Sequence, residues 1–209
     1  KRCVMARGLF IVVEGLDGSG SSTQCELLRN YLTIKGMKVI VTKEPTNNLI
    51  GGLIRGVLTK DWTINPEGLQ LLFSADRAHH LQKDIIPALE RGTTIICDRY
   101  FFSTIAFGSL DCDFEWLRTL NKFFPSPDLV FILEVDPQEC VHRIAMGRDK
   151  FELFEEEKKL QTIQENYRLL AQHYPEIMFI NGNREKEAIL IDIVRKVEEY
   201  LMYKKENNV

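Results

Sequence analysis

The 209-residue sequence has no apolar run approaching the ~18 residues needed to cross a bilayer, which leaves no transmembrane segment. Its opening, KRCVMARGLF, carries positive charge but runs straight into a strand-like segment without an apolar h-region and cleavage site, so it does not read as a signal peptide. Cysteine is sparse: Cys3, Cys25, Cys97, Cys112 and Cys140 are odd in number and show no C-x-x-C spacing. That pattern argues against a disulfide framework and a zinc site, and reduced thiols and a cytoplasmic address are expected. An excess of positive charge is also missing, since 27 Lys and Arg stand against 30 Asp and Glu for a net charge of −3. No general footprint for nucleic acid follows, and any basic site must be local. No repeat, low-complexity tract or linker divides the chain, so one domain over residues 1–209 is expected, long enough to enclose a core.

What the sequence does contain is alternation. Short apolar, β-branched runs at 9–15 (LFIVVEG), 38–42 (KVIVT), 93–98 (TTIICD), 129–135 (LVFILEV) and, more weakly, 177–181 (IMFIN) suit strands buried on both faces. Between them lie helical stripes: Leu27, Leu28, Tyr31 and Leu32; Leu69, Leu72, Phe73, Leu81, Ile85 and Leu89; Leu160, Ile163, Tyr167, Leu170, Ala171 and Tyr174; and Leu190, Ile193, Val194, Val197 and Leu201. Strands alternating with helices imply βαβ crossovers, hence an α/β fold with a five-stranded parallel sheet covered on both sides. Ligands of such sheets bind beyond the carboxyl ends of the strands. That rule directs attention to Glu14–Ser21, Lys43–Thr46, Asp98–Tyr100 and the turn after Val135.

The first of these, GLDGSGSST over residues 15–23, has the spacing of the phosphate-cradling pattern G-x-x-x-x-G-K-[ST], with Ser21 at the lysine position. A strand running into Gly15, Gly18 and Gly20 and then into a helix exposes backbone N–H groups of Ser19, Ser21 and their neighbours at the positive end of the helix dipole, an anion site without any side-chain charge. Ser22 takes the place whose hydroxyl holds Mg²⁺ in such loops, with Thr23 beside it. The alternative is a glycine-rich turn with a Ser N-cap. Asp98 and Arg99 follow a strand, where an Asp can organise Mg²⁺ and an Arg can grip a phosphate; a surface ion pair is the other reading. Phe73 and Arg77 share a helix face at i, i+4, as base recognition requires, or else form a core ring beside a solvated Arg. His142, Arg143, Arg148 and Lys150 cluster around Gly147 as in a lid over phosphates, or as a solvated turn. His79 and His80 are adjacent on a helix, point about 100° apart and make a poor metal pair.

In order and spacing, FIVVEGLDGSG, KEP, LIRGVL, LLFSADRAHH, IIPALERGTTIICDRYFFSTIAF, PSPDLVFILEVDP and GRDKFE resemble thymidylate kinases across nearly the whole chain. The specific parts are the DRY segment with its following Ser and the F-x-A-x-R helix; the glycine loop is common to many enzymes. The resemblance implies a P-loop fold, transfer of the ATP γ-phosphoryl group to dTMP with Mg²⁺, a lid near 143–154 and a homodimer. It implies that Asp17 faces the sugar and the metal–phosphate region, that Phe73 stacks on thymine and that Arg77 bonds the base edge. Arg55 and Arg99 would clamp the acceptor phosphate, Lys43, Glu44 and Pro45 would wall that pocket, and Ser103 and Thr104 would lie beside the base. Asp98 would support Mg²⁺. Many members carry Tyr and Gln where this chain has Phe107 and Gly108. The cation missing at Ser21 is expected from the lid, with Arg148 and Arg143 as first candidates and Lys150 third. A nucleotide binder with little kinase activity and a kinase for another pyrimidine monophosphate stay open as alternatives.

Overall fold

The computed structural model describes residues 7–147, 154 and 156–207. Five parallel strands, β1 (Phe10–Gly15), β2 (Val39–Lys43), β3 (Thr94–Asp98), β4 (Leu129–Glu134) and β5 (Ile177–Asn181), form one sheet in the order β2-β3-β1-β4-β5. The five apolar runs are these five strands. Because successive side chains point to opposite faces, each inner strand feeds two cores. Phe10, Val12, Ile95, Cys97, Val130 and Ile132 pack on one face, while Ile11, Val13, Ile96, Leu129, Phe131 and Leu133 pack on the other. Helices α1 (Ser21–Ile34) and α9 (Lys186–Asn207) cover the second face through Cys25, Leu28, Leu32, Ile189, Ile193 and Val197. The first face is covered by α2 (Leu49–Leu58), α3 (Pro66–His80), which continues through a π-helical turn at Leu81–Ile85 into α4 (Ile86–Glu90), α5 (Phe101–Gly108), α6 (Phe114–Asn121), α7 (Pro137–Gly147) and α8 (Glu157–Leu170).

The four stripes are the faces of α1, of α3 with α4, of α8 and of α9. Helices α2, α5, α6 and α7 gave no such signal for physical reasons. Helix α5 is buried at every position but Ser103, so it has no polar face to set off a stripe. The others span only 8 to 11 residues, and α2 contains Gly51 and Gly52. Asparagine caps fix two starts: Asn48 accepts from the N–H groups of Ile50 and Gly51, and Asn65 from that of Gly68.

Strand order positions the site. After β1 the chain steps over β3 to reach β2, and after β3 it passes β1 to reach β4, so the direction reverses between β1 and β3. The crevice beyond those two strands is where a ligand fits such a sheet. Val13 pairs with Asp98, Lys43 pairs with Asp98 and Gly15 with Leu133, which brings the ends of four strands level there. No helix among the described residues is long and apolar enough to cross a membrane.

Candidate active site

The loop after β1 turns through Gly18 (φ 80°) and Gly20 (φ 91°), both in the left-handed region that favours glycine. Gly18 also lies close against α7, where a Cβ would sit 2.6 Å from the Cys140 carbonyl oxygen. Helix α1 starts at Ser21 with Gly20 as its cap and no side chain accepting from its first N–H groups. The alternative of a Ser N-cap therefore does not describe this turn. Ser19 and Ser21 are buried, the Ser19 hydroxyl without a hydrogen-bond partner, while Ser22 and Thr23 are exposed on the first turn. Free amides, a helix dipole and no competing carboxylate at the cap make a receptor for anionic oxygens.

Ser22 Oγ bonds Asp98 Oδ2, and Asp98 Oδ1 is buried with no partner. An unpaired carboxylate oxygen beside a hydroxyl is the donor set that a hard cation takes up. These two residues fit Mg²⁺ on that ground.

Arg99 follows directly from β3 in a left-handed backbone conformation (φ 70°), which costs a non-glycine residue on the order of 1 kcal/mol. It is held there from both ends. Its N–H donates to Val13 O at 3.0 Å, its Nη1 donates to Gly15 O (2.9 Å) and Ser103 Oγ (3.0 Å), and its Nη2 donates to Asp17 Oδ1 (2.6 Å). The guanidinium lies 5.1 Å from the Phe107 ring centre. Sequence reasoning missed the group behind it. Glu14, fully buried at the end of β1, accepts from the N–H groups of Tyr100 (2.8 Å) and Ser103 (3.2 Å), from the Ser103 hydroxyl and from Tyr167 OH (2.9 Å). It thus caps α5, which has no capping side chain of its own. Burial raises its carboxyl pKa above the ordinary value, against the opposing pull of Arg99 and those hydrogen bonds. A lone carboxylate inside FIVVEG was the available signal.

Arg77 is 1% exposed, which removes the reading of a solvated guanidinium. Its Nε donates to Glu44 Oε2 (2.8 Å), Nη1 to Asn121 Oδ1 (2.6 Å) and Nη2 to Thr104 Oγ1 (2.8 Å), and Tyr100 and Phe124 flank it at 5.2 and 5.4 Å. The other Glu44 oxygen pairs with His80 Nδ1 at 3.1 Å, and His80 Nε2 meets Thr42 Oγ1 at 2.7 Å. His80 is therefore a buried member of this network; of the two places the sequence left open for it, surface or pocket wall, it takes the second.

One cavity of about 260 Å³, near the low end of the range for ligand pockets, gathers every residue expected on the acceptor side: Glu44, Pro45, Arg55, Phe73, Arg77, Arg99, Ser103, Thr104 and Phe107, with Asp17 and Asp98 at its edge. Arg55 enters from α2 and donates to Thr46 O (2.5 Å). Gln70, Leu58, Tyr100 and Phe154 also line it; of these, Gln70 and Leu58 had been given no role. Phe154, from the expected lid, packs edge-on against Phe107 at 5.6 Å. Arg143 is elsewhere: it sits on α7, bonded to Glu139 (2.8 Å), and lines a separate concavity with Asp136, Asn183 and Arg184. Arg148 and Lys150 lie outside the described residues. Among the described residues Cys25, Cys97, Cys112 and Cys140 are free thiols, and burial pushes the Cys140 thiol, whose backbone abuts Gly18, up to about 12, so it is no nucleophile near neutral pH.

A family model described as thymidylate kinase matches residues 13–193. A probable thymidylate kinase of Pyrococcus horikoshii is 40% identical over 203 residues, covering 94% of this chain and 98% of that protein. One of Thermococcus gammatolerans is 42% identical over 205 residues, covering 93% and 98%. The solved structure of a thymidylate kinase from Candida albicans superposes with a TM-score of 0.80 at 27% identity, covering 92% of each chain.

Proposed function

The chain belongs to the thymidylate kinase family, and on that premise we propose that its cleft transfers the γ-phosphoryl group of ATP to the 5′-phosphate of dTMP. A bond forms between an acceptor phosphate oxygen and the γ-phosphorus, the bond to the β,γ-bridging oxygen breaks, and dTDP and ADP leave. The acceptor oxygen is already ionised near pH 7, since a phosphate monoester loses its second proton near pH 6. No general base is required, and catalysis consists of positioning and charge neutralisation.

The observation that carries this reading is the single cavity in which base-facing and phosphate-facing groups stand together. Phe73 offers a ring face for thymine, with Arg77 and Thr104 beside it. Arg55 and Arg99 supply two guanidinium groups for the acceptor phosphate, and Asp17, bonded to Arg99, faces the sugar and the phosphate region. The amides at the start of α1 cradle the donor phosphates. When bound, Mg²⁺ at Ser22 and Asp98 supplies positive charge to the donor phosphates.

Ser21 stands at the position where the loop pattern has lysine. We infer that the replacement cation comes from outside the loop, from Arg148 first, then from Arg143 on α7. An exposed i,i+4 ion pair such as that of Arg143 with Glu139 contributes only ~0.3–0.5 kcal/mol and does not hold the side chain back. A homodimer is proposed as well, supported by the exposed Leu49, Leu53 and Leu71 on the adjoining α2 and α3; light scattering on the eluted protein tests it.

Coupled ADP release with Mg²⁺, ATP and a panel of dTMP, dUMP, dCMP, UMP and CMP tests the reaction. The highest kcat/KM is expected for dTMP. Nucleotide binding without turnover on any of them would favour a binding protein, and a preference for another monophosphate would reassign the acceptor.

A further inference from the structure

Gln70 is a polar side chain sealed into the acceptor cavity: it is 3% exposed, and its Oε1 is buried with no hydrogen-bond partner. Its own backbone is satisfied, the carbonyl accepting from Ser74 Oγ at 3.0 Å. Positions 70, 73 and 77 fall on one face of α3, so Gln70, Phe73 and Arg77 form a row along the same wall. The nearby polar groups are committed elsewhere, Arg77 to Glu44, Asn121 and Thr104, and cannot serve the amide.

The space that the amide fills is opened by Gly108 at the end of α5. A Cβ there would lie 2.9 Å from Gln70 Cδ, 3.0 Å from Oε1 and 3.1 Å from Leu117 Cδ1. A buried carboxamide oxygen without a partner costs free energy that Leu or Met of similar size would not. That cost is offset when a ligand supplies the missing donor.

We propose that Gln70 is a specificity-determining residue that reads the hydrogen-bonding edge of the acceptor pyrimidine. A carboxamide offers one acceptor and an adjacent donor. Thymine presents N3–H beside a carbonyl oxygen, so the amide oxygen accepts from N3–H while the amide nitrogen donates to the neighbouring carbonyl. Phe73, one turn further along α3, presents its ring to the base face, and Gln70 provides the in-plane selection that stacking lacks. The proposal rests on the dTMP kinase reading above.

The test uses Gln70→Met, which keeps approximate size and removes both hydrogen-bonding ends. The KM for dTMP should rise roughly 5- to 10-fold, the size of one or two neutral hydrogen bonds, with kcat and the KM for ATP within about twofold. N3-methyl-dTMP, which lacks the N3–H donor, should be discriminated against in the parent protein and less so, by the same factor, in the variant. An unchanged KM for dTMP, or an unchanged N3-methyl penalty, overturns the assignment and leaves Gln70 as packing. If Gln70→Met does not fold, Gly108→Ala displaces the same amide and must raise the KM for dTMP alone. A parent protein that neither binds nor phosphorylates dTMP overturns the kinase reading and this one with it. A parent that phosphorylates dTMP beside an unaffected Gln70→Met overturns only this one.

Discussion

On the acceptor side of the cleft the guanidinium groups are engaged by fixed oxygens of the protein: Arg77 by Glu44, Asn121 and Thr104, and Arg99 by Gly15, Asp17 and Ser103. On the donor side Gly20 caps α1 with no side chain, Ser19 Oγ and Asp98 Oδ1 are buried unpaired, and Arg143 is turned to Glu139. The two sides face one reaction and prepare for it differently. A small neutral base requires fixed hydrogen-bonding groups, because a misplaced donor discriminates poorly. A polyphosphate brings its own charge and counterion, so it can be met by unpaired amides and by a cation that closes over it. The division assigns large effects on dTMP KM to the acceptor network and large effects on kcat to the donor side.

The sharpest break in that division is Arg99, an acceptor-side guanidinium bonded to Gly15 and Asp17 of the donor loop. Arg99→Ala removes a phosphate guanidinium and frees Asp17, and kcat/KM should fall by ~10³. Arg99→Lys keeps the charge but loses the fork and should still lose ~10². Full activity in the Lys variant would make Arg99 a structural partner of Asp17 only. Next in size, Phe73→Ala should raise the KM for dTMP by roughly 5- to 100-fold, the loss of a stacking surface worth ~1–3 kcal/mol per base, and leave that for ATP near its parent value. Equal damage to both nucleotides would return Phe73 to the core.

The smallest expected effect probes what lies beneath the acceptor network. Glu14 has a raised pKa in the folded protein, so the folded state holds its proton more tightly than the unfolded chain does. Its contribution to stability is fully present below about pH 4.5 and is lost as pH rises through the higher folded value. Glu14→Gln cannot lose it. The Tm of the variant minus that of the parent should therefore be more positive at pH 8 than at pH 5, each kcal/mol amounting to about 2–4 °C in a chain of this size. A difference that is flat with pH, or reversed, would mean that Glu14 is not the strained acid its burial implies.

Much of this was readable in the amino-acid order. Strands buried on both faces must be continuous apolar runs, so β1, β3 and β4 stood out, whereas the edge strands β2 and β5 are only partly buried and the run of β5 was the weakest; the loop after β1 could be placed from its glycines. The i, i+4 spacing of Phe73 and Arg77 gave a shared face, but spacing cannot say that the face is buried, and Arg77 proved sealed among Glu44, Asn121 and Thr104. Asn121 comes from α6, whose eight residues left no stripe to read. His80 looked idle because its partners, Thr42 and Glu44, are remote in sequence. Gln70 lies on the legible face of α3, yet its meaning depends on the room left by Gly108, a contact between helices that no local pattern encodes. Arg143 was expected in a lid and stands on α7, because the helix that starts at Pro137 runs on to Gly147.

We propose that a preset acceptor site works with a donor loop whose catalytic charge comes from outside it. Steady-state turnover of dTMP by the parent, Ser21→Lys, Arg148→Ala and the double variant tests it most directly. The account predicts an active parent, a Ser21→Lys protein within about threefold of it, a loss of ~10² in kcat for Arg148→Ala with nucleotide binding preserved, and partial recovery in the double variant, since both cations would neutralise the same developing charge. An inert parent that Ser21→Lys alone switches on would contradict it, and would make the natural protein a nucleotide binder with a complete acceptor pocket.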